Sequence, residues 1–165
     1  MIFKFLSKNF YFSFLIVASI YFLDRLTKIY VIQLDKNNLG SDIFNSAYLN
    51  IILIWNKGIA FGLLSFNESY LYNILSLIIS IIVIILVVMS LKTQGFKRYS
   101  LLMIVGGALG NLHDRIFFNA VPDFIDFHVG SFHWFIFNVA DIFITVGVIS
   151  MVILELTNNN KQKNE

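Results

Sequence analysis

The sequence contains no cysteine, which excludes disulfides, thiol nucleophiles and thiolate metal sites. One proline and two tryptophans stand beside 18 phenylalanines, a composition that suits long helices better than a turn-rich all-β protein. Charge is scarce too: 13% of the 165 residues are Asp, Glu, Lys or Arg, against 58% hydrophobic. With a mean hydropathy of +0.76, the chain is far more apolar than a soluble domain of its size, so its preferred solvent is lipid. No basic face with interleaved aromatics is present, which argues against nucleic-acid binding. The length allows one small domain.

A membrane-spanning helix needs about 20 mostly apolar residues. Four segments qualify: Phe10 to Leu34, Tyr70 to Leu91, Ser100 to Phe118 and Trp134 to Leu156. The expected fold is therefore an all-α membrane protein, a single four-helix domain over residues 1–156 with a polar, disordered cytoplasmic tail from Thr157 to Glu165. Seven of the twelve Lys and Arg lie in three short stretches: Lys4 and Lys8, then Lys92, Lys97 and Arg98, then Lys161 and Lys163. The positive-inside rule puts all three in the cytoplasm, and with them both termini. A cleaved signal peptide is the rival reading of the first span. No A-x-A-like site follows it, however, and Ile29 to Leu34 resumes the apolar pattern directly after the charged residues.

Residues 39–66 are too interrupted by Asn45, Asn50 and Asn56-Lys57-Gly58 to span. Their β-branched and aromatic content and the Asn-Lys-Gly turn signal predict strand, turn, strand: a small extracytoplasmic β-segment between the first and second helices.

Topology converts sequence position into depth, because a helix rises about 1.5 Å per residue. Asp24 and Lys28 fall in the outer half of the first span. Asn111, Asp114 and Arg115 fall in the outer half of the third, with Asp123 just beyond its end. Asn138 and Asp141 fall one to two turns inside the fourth. Ionisable groups at membrane depth are costly unless paired or hydrated, so one shared layer implies one shared cavity near the outer face. Asp24 and Lys28 have the spacing of a helical ion pair, and water near the interface is expected to compensate in part for losing Lys28. Gly106, Gly107 and Gly110 are expected to let another helix approach closely.

Asp123 and Asp141 have no adjacent cation at helical spacing and are separated by a predicted loop containing Gly130. Two carboxylates close together cannot both ionise easily, so one retains its proton and the pair supplies an acid and a base at once. That is the equipment for splitting a peptide bond with water. Metal chemistry is the weaker reading: the spacings among His113, His128 and His133, with Asp126 as a further ligand, match no familiar zinc pattern. Buried acids also serve proton or ion transporters, but transport needs access from both sides and these acids gather at one end. A non-catalytic assembly factor, locked together by the same layer, is the other alternative.

Five motifs stand in order along the chain: Asp24-Arg25-Leu26-Thr27-Lys28, Asn56-Lys57-Gly58-Ile59-Ala60-Phe61, Gly106-Gly107-Ala108-Leu109-Gly110-Asn111-Leu112-His113-Asp114-Arg115, Val121-Pro122-Asp123-Phe124-Ile125-Asp126 and Phe137-Asn138-Val139-Ala140-Asp141. With them the chain closely resembles the lipoprotein signal peptidases, or signal peptidase II, the bacterial membrane aspartyl proteases. The resemblance implies that Asp123 and Asp141 are the catalytic pair. It further implies that Asn56, Asn111, Arg115 and Asn138 line the site, and that Asp24, Lys28 and Asp114 support it. The segment 39–66 would be the family's β-cradle. The implied reaction cuts a diacylglyceryl-modified prolipoprotein before its lipidated Cys, in the bacterial inner membrane, by a monomer in contact with lipid and with neither cofactor nor metal. Pro122 and His113 are unexpected choices within these motifs, and Pro122 disfavours helix at Val121.

Overall fold

A computed structural model describes residues 8–38, 42–58 and 69–162. Four helices, α1 Lys8–Asn37, α2 Ser69–Lys92, α3 Phe96–Phe118 and α4 Val139–Gln162, are joined by three strands, β1 Leu49–Asn56, β2 Val121–Val129 and β3 Phe132–Phe137. Tyr70–Lys92, Phe96–Phe118 and Val139–Thr157 are long and apolar enough to cross a membrane. α1 is the longest helix, at 30 residues, but Asp24, Arg25 and Lys28 dilute its apolar character.

α3 is the hub. Leu101, Leu102 and Val105 are buried on it, and it packs against α1, α2 and α4. Glycine makes two of these contacts possible. A Cβ on Gly110 would stand 2.5 Å from Oδ2 of Asp24 on α1, and one on Gly107 would collide with the Ala140 carbonyl of α4. By contrast, α2 leaves Leu77, Ile78, Ile81, Ile82, Ile84 and Ile85 exposed, an apolar surface of the kind that lipid covers.

The sheet departs from the expected local pair. β2 lies at its centre, antiparallel to β1 on one side and β3 on the other. β1 thus pairs across the chain, with Asn56 opposite Val121 and Ile54 opposite Asp123; the second strand expected after the Asn-Lys-Gly turn falls on residues 59–66, outside the described residues. The predicted loop between Asp123 and Asp141 is a β-hairpin turning at Gly130, whose φ of 61° suits glycine. The fourth span accordingly begins at Val139 rather than Trp134, because Phe132–Phe137 is strand β3. A short aromatic and β-branched run is compatible with either state, and its partner strand decides. At the other end, α4 runs on to Gln162 where a disordered tail was expected. Pro122 sits at the second position of β2 with Val121 extended before it, as a proline requires.

Candidate active site

The end of β1, the start of β2 and the first turn of α4 converge where α3 ends. Asn138 and Asp141 open α4 with a reciprocal cap: the backbone N–H of Asp141 donates to Asn138 Oδ1 at 3.1 Å, and the backbone N–H of Asn138 donates to Asp141 Oδ2 at 3.1 Å. This capping box satisfies two orphan donors of the helix terminus. It also fixes the Asp141 carboxylate, whose Oδ1 accepts from the Asn111 side-chain amide at 2.8 Å.

Asp123 is held from two other directions. Its Oδ2 accepts from the Asn56 amide at 2.8 Å and its Oδ1 from the Asn138 amide at 2.6 Å. Asn138 therefore touches both aspartates, one through its side chain and the other through its backbone. Asn56 also accepts from the Gly58 N–H at 2.8 Å, closing an Asx turn that the Asn-Lys-Gly sequence favours. Arg115 reaches over from α3 to donate to the Gly58 carbonyl at 2.9 Å, which ties that turn to the helix.

Only 3% of Asp123 is exposed. Burial, and next the negative charge of Asp141, push its carboxyl up from 3.8 to about 6, the direction expected when two acids share a desolvated site. A cavity of about 430 Å³ opens beside the pair. Asn56, Asn111, Arg115, Asp123 and Asp141 give it a polar end, while Ile79, Ile144, Val148 and Ile149 form an apolar wall.

Behind the cavity lies an ionic layer between α1 and α3. Lys28 Nζ is 2.8 Å from Asp24 Oδ2 and 2.7 Å from Asp114 Oδ2, and it donates to Asn111 Oδ1 at 2.8 Å. Asp24 in turn accepts from the backbone N–H of Ala140 at 3.0 Å, which docks the first turn of α4 on α1. Lys28, Asp24, Asp114 and Asn138 are fully buried. Arg25, quoted in a motif but given no role, completes the layer by pairing with Asp114.

His113 stands apart from the other histidines. Its Nδ1 is hydrogen-bonded to the Tyr21 hydroxyl at 2.9 Å, on the side of α3 that faces α1.

The sequence profile of the signal peptidase (SPase) II family matches residues 16–157, nearly the whole of the fold just described. The chain belongs to the signal peptidase II family. Among curated relatives, the lipoprotein signal peptidase of Pelagibacter ubique (strain HTCC1062) is 49% identical over 158 residues, which are 96% of this chain and 95% of the relative. That of Anaplasma phagocytophilum (strain HZ) is 44% identical over 137 residues, 81% of this chain and 85% of the relative. A bacterial membrane enzyme solved by the in meso method at 2.3 Å resolution superimposes with a TM-score of 0.74 at 31% identity, covering 93% of this chain and 92% of its own. A second, at 1.9 Å, gives 0.71 at 33% identity. Signal peptidase II is a membrane enzyme, and the transporter and assembly-factor readings lose their support.

Proposed function

We propose that this signal peptidase II is an aspartic endopeptidase that frees the signal peptide from diacylglyceryl-modified prolipoproteins, cutting the bond before the lipidated Cys. The observation that carries the reading is the pair Asp123 and Asp141 facing one cavity with a polar end and an apolar wall. With one proton shared between them, the ionised carboxylate takes a proton from water, the water attacks the scissile carbonyl, and the protonated partner donates to the oxygen or the departing nitrogen. Asn56, Asn111 and Asn138 keep both carboxylates aimed. Arg115 and the Gly58 turn border the space for the substrate backbone, and Asp24, Lys28 and Asp114 hold the helices behind it. The apolar wall suits a substrate whose acyl chains and signal helix both lie in lipid.

In this reading the protein is a single four-span domain over residues 1–156, with α1 as the fourth span. It works as a monomer in the bacterial inner membrane, with both termini cytoplasmic and the cavity near the outer face. Neither metal nor cofactor takes part in the reaction. Incubating detergent-purified protein with a diacylated prolipoprotein should yield two products whose masses place the cut before the modified Cys. An intact substrate, or a cut elsewhere, overturns the assignment.

Topology can be tested separately, since the chain has no native cysteine to interfere. In intact cells an impermeant thiol reagent should label Ser131→Cys at the β2–β3 turn and spare Gln94→Cys between α2 and α3. The reverse pattern would invert the orientation.

A further inference from the structure

Asp126 and His128 stand two residues apart on β2, and His133 is the direct partner of His128 on β3. The pairing is irregular between Asp126 and His128, where Asp126 faces Ile136 and His128 faces His133, so a bulge rather than plain alternation sets how these side chains meet. The side chains do converge. Nδ1 of His133 is 2.9 Å from Asp126 Oδ2 and 3.1 Å from Oδ1. The imidazoles of His128 and His133 stack with centroids 5.0 Å apart and planes inclined by 20°. One donor atom from each of the three residues lies within 4.8 Å of the other two. None of the three lines the cavity beside Asp123 and Asp141.

We propose that Asp126, His128 and His133 form a binding site for a divalent transition metal of the zinc class, separate from the peptidase site. Two imidazole nitrogens and one carboxylate oxygen are a donor set that zinc accepts, with a fourth position left for water. Imidazole disfavours calcium and magnesium, which prefer oxygen. Tetrahedral bonds of about 2.0–2.1 Å place donors roughly 3.4 Å apart, so His133 and Asp126 are already close enough and the widest separation, at most 4.8 Å, must close by up to about 1.4 Å. Exposed His133 can swing by side-chain rotation. Asp126 is already fixed, buried and held by the Asn50 amide at 3.2 Å, the outer-shell support that metal carboxylates generally have. The second observation is the Nδ1 of His128, a buried ring nitrogen that makes no hydrogen bond among the described residues.

A metal at this position would clamp β3 to β2 three residues along the strand from Asp123. It would stiffen the strand that carries one aspartate without entering the reaction.

The test is titration calorimetry of tag-free, chelator-stripped protein in detergent with zinc chloride. The wild type should bind one equivalent with micromolar or tighter Kd, and its Tm should rise with zinc concentration. His128→Ala and His133→Ala should each weaken binding at least tenfold, and His113→Ala should leave it unchanged. Because His128 makes no side-chain hydrogen bond among the described residues and gives up chiefly its stack on His133, His128→Ala should still unfold cooperatively, close to the wild-type Tm in chelator, so its loss of zinc binding is not a loss of fold. Cobalt chloride should produce the intense visible absorption of four-coordinate cobalt in the wild type and in His113→Ala, and in neither His128→Ala nor His133→Ala. Absence of saturable binding, or equal affinity in wild type and both histidine variants, overturns the site.

Discussion

Asp123→Asn and Asp141→Asn are each expected to lower the rate of prolipoprotein cleavage by about a thousandfold or more, while the protein stays folded and binds substrate. Asparagine keeps the size of aspartate but can neither take a proton from water nor give one back, and positioned acid–base groups contribute roughly 10²–10⁴-fold. The double variant should be scarcely slower than either single one, because groups that act as a unit lose everything at the first deletion. Chelators should leave the wild-type rate intact. Stability supplies an independent check on Asp123. Its carboxyl is raised to about 6 in the fold, so the native state binds more protons than the unfolded state between about 4 and 6. The contribution of this group is therefore complete below 3.8 and is lost as pH rises through about 6. Between pH 4 and pH 7.5 the fall in Tm should be shallower in Asp123→Asn than in the wild type. Parallel slopes would contradict the buried carboxyl. Strong residual turnover in Asp141→Asn, or zinc-dependent recovery of a chelated enzyme, would refute the two-aspartate mechanism.

The helices were legible because lipid imposes a length and a composition on whatever crosses it, and α2 and α3 begin and end within a few residues of the expected positions. The shared layer was legible too: with neighbouring spans running in opposite directions, Asp24, Asn111 and the first turn of α4 at Asp141 fall at one level of the bundle, and they do meet there. What one dimension cannot supply is the partner of a strand. Leu49–Asn56 reads as a strand from its residues alone, but nothing in it names Val121–Asn56 or Asp123–Ile54 as pairs across more than sixty residues. The end of the aromatic strand β3, Trp134 to Phe137, joined the fourth span for lack of that partner. A missed signal was present at Asn138: an Asn three residues before an acid, just ahead of an apolar run, is a capping-box pattern, and reading it would have started α4 at Val139. The roles of Asn111 and Arg25 depend on contacts between α1 and α3, and no spacing within either helix encodes them.

Lys28 is where burial most changes an expectation formed from position. Sequence depth puts it near the interface, where water could replace a lost charge, yet neither Lys28 nor its partners Asp24 and Asp114 are exposed at all. Its ammonium donates to Asp114 and Asn111 and forms an ion pair with Asp24. Lys28→Met keeps the aliphatic stem and removes the charge, leaving two buried carboxylates to share Arg25. Breaking such a network by removing one partner costs about 3–5 kcal/mol, which in a chain of this length corresponds to a drop in Tm on the order of ten degrees. Arg25 is drawn to Asp114, with Asp24 at 3.7 Å, so Asp24 is the carboxylate left uncompensated. Adding Asp24→Asn should therefore restore much of the stability, since its side-chain oxygen can still accept from the Ala140 N–H. Activity should recover less. Lys28 grips Asn111 Oδ1 and thereby turns the Asn111 amide toward Asp141, and without that grip the amide oxygen keeps the longer contact from Asn138 at 3.2 Å. The double variant should regain its Tm while kcat stays about tenfold below wild type, on the scale of one lost orienting contact. A Lys28→Met protein with wild-type Tm would mean that water does reach the layer, and full recovery of kcat in the double variant would confine Lys28 to holding the helices together.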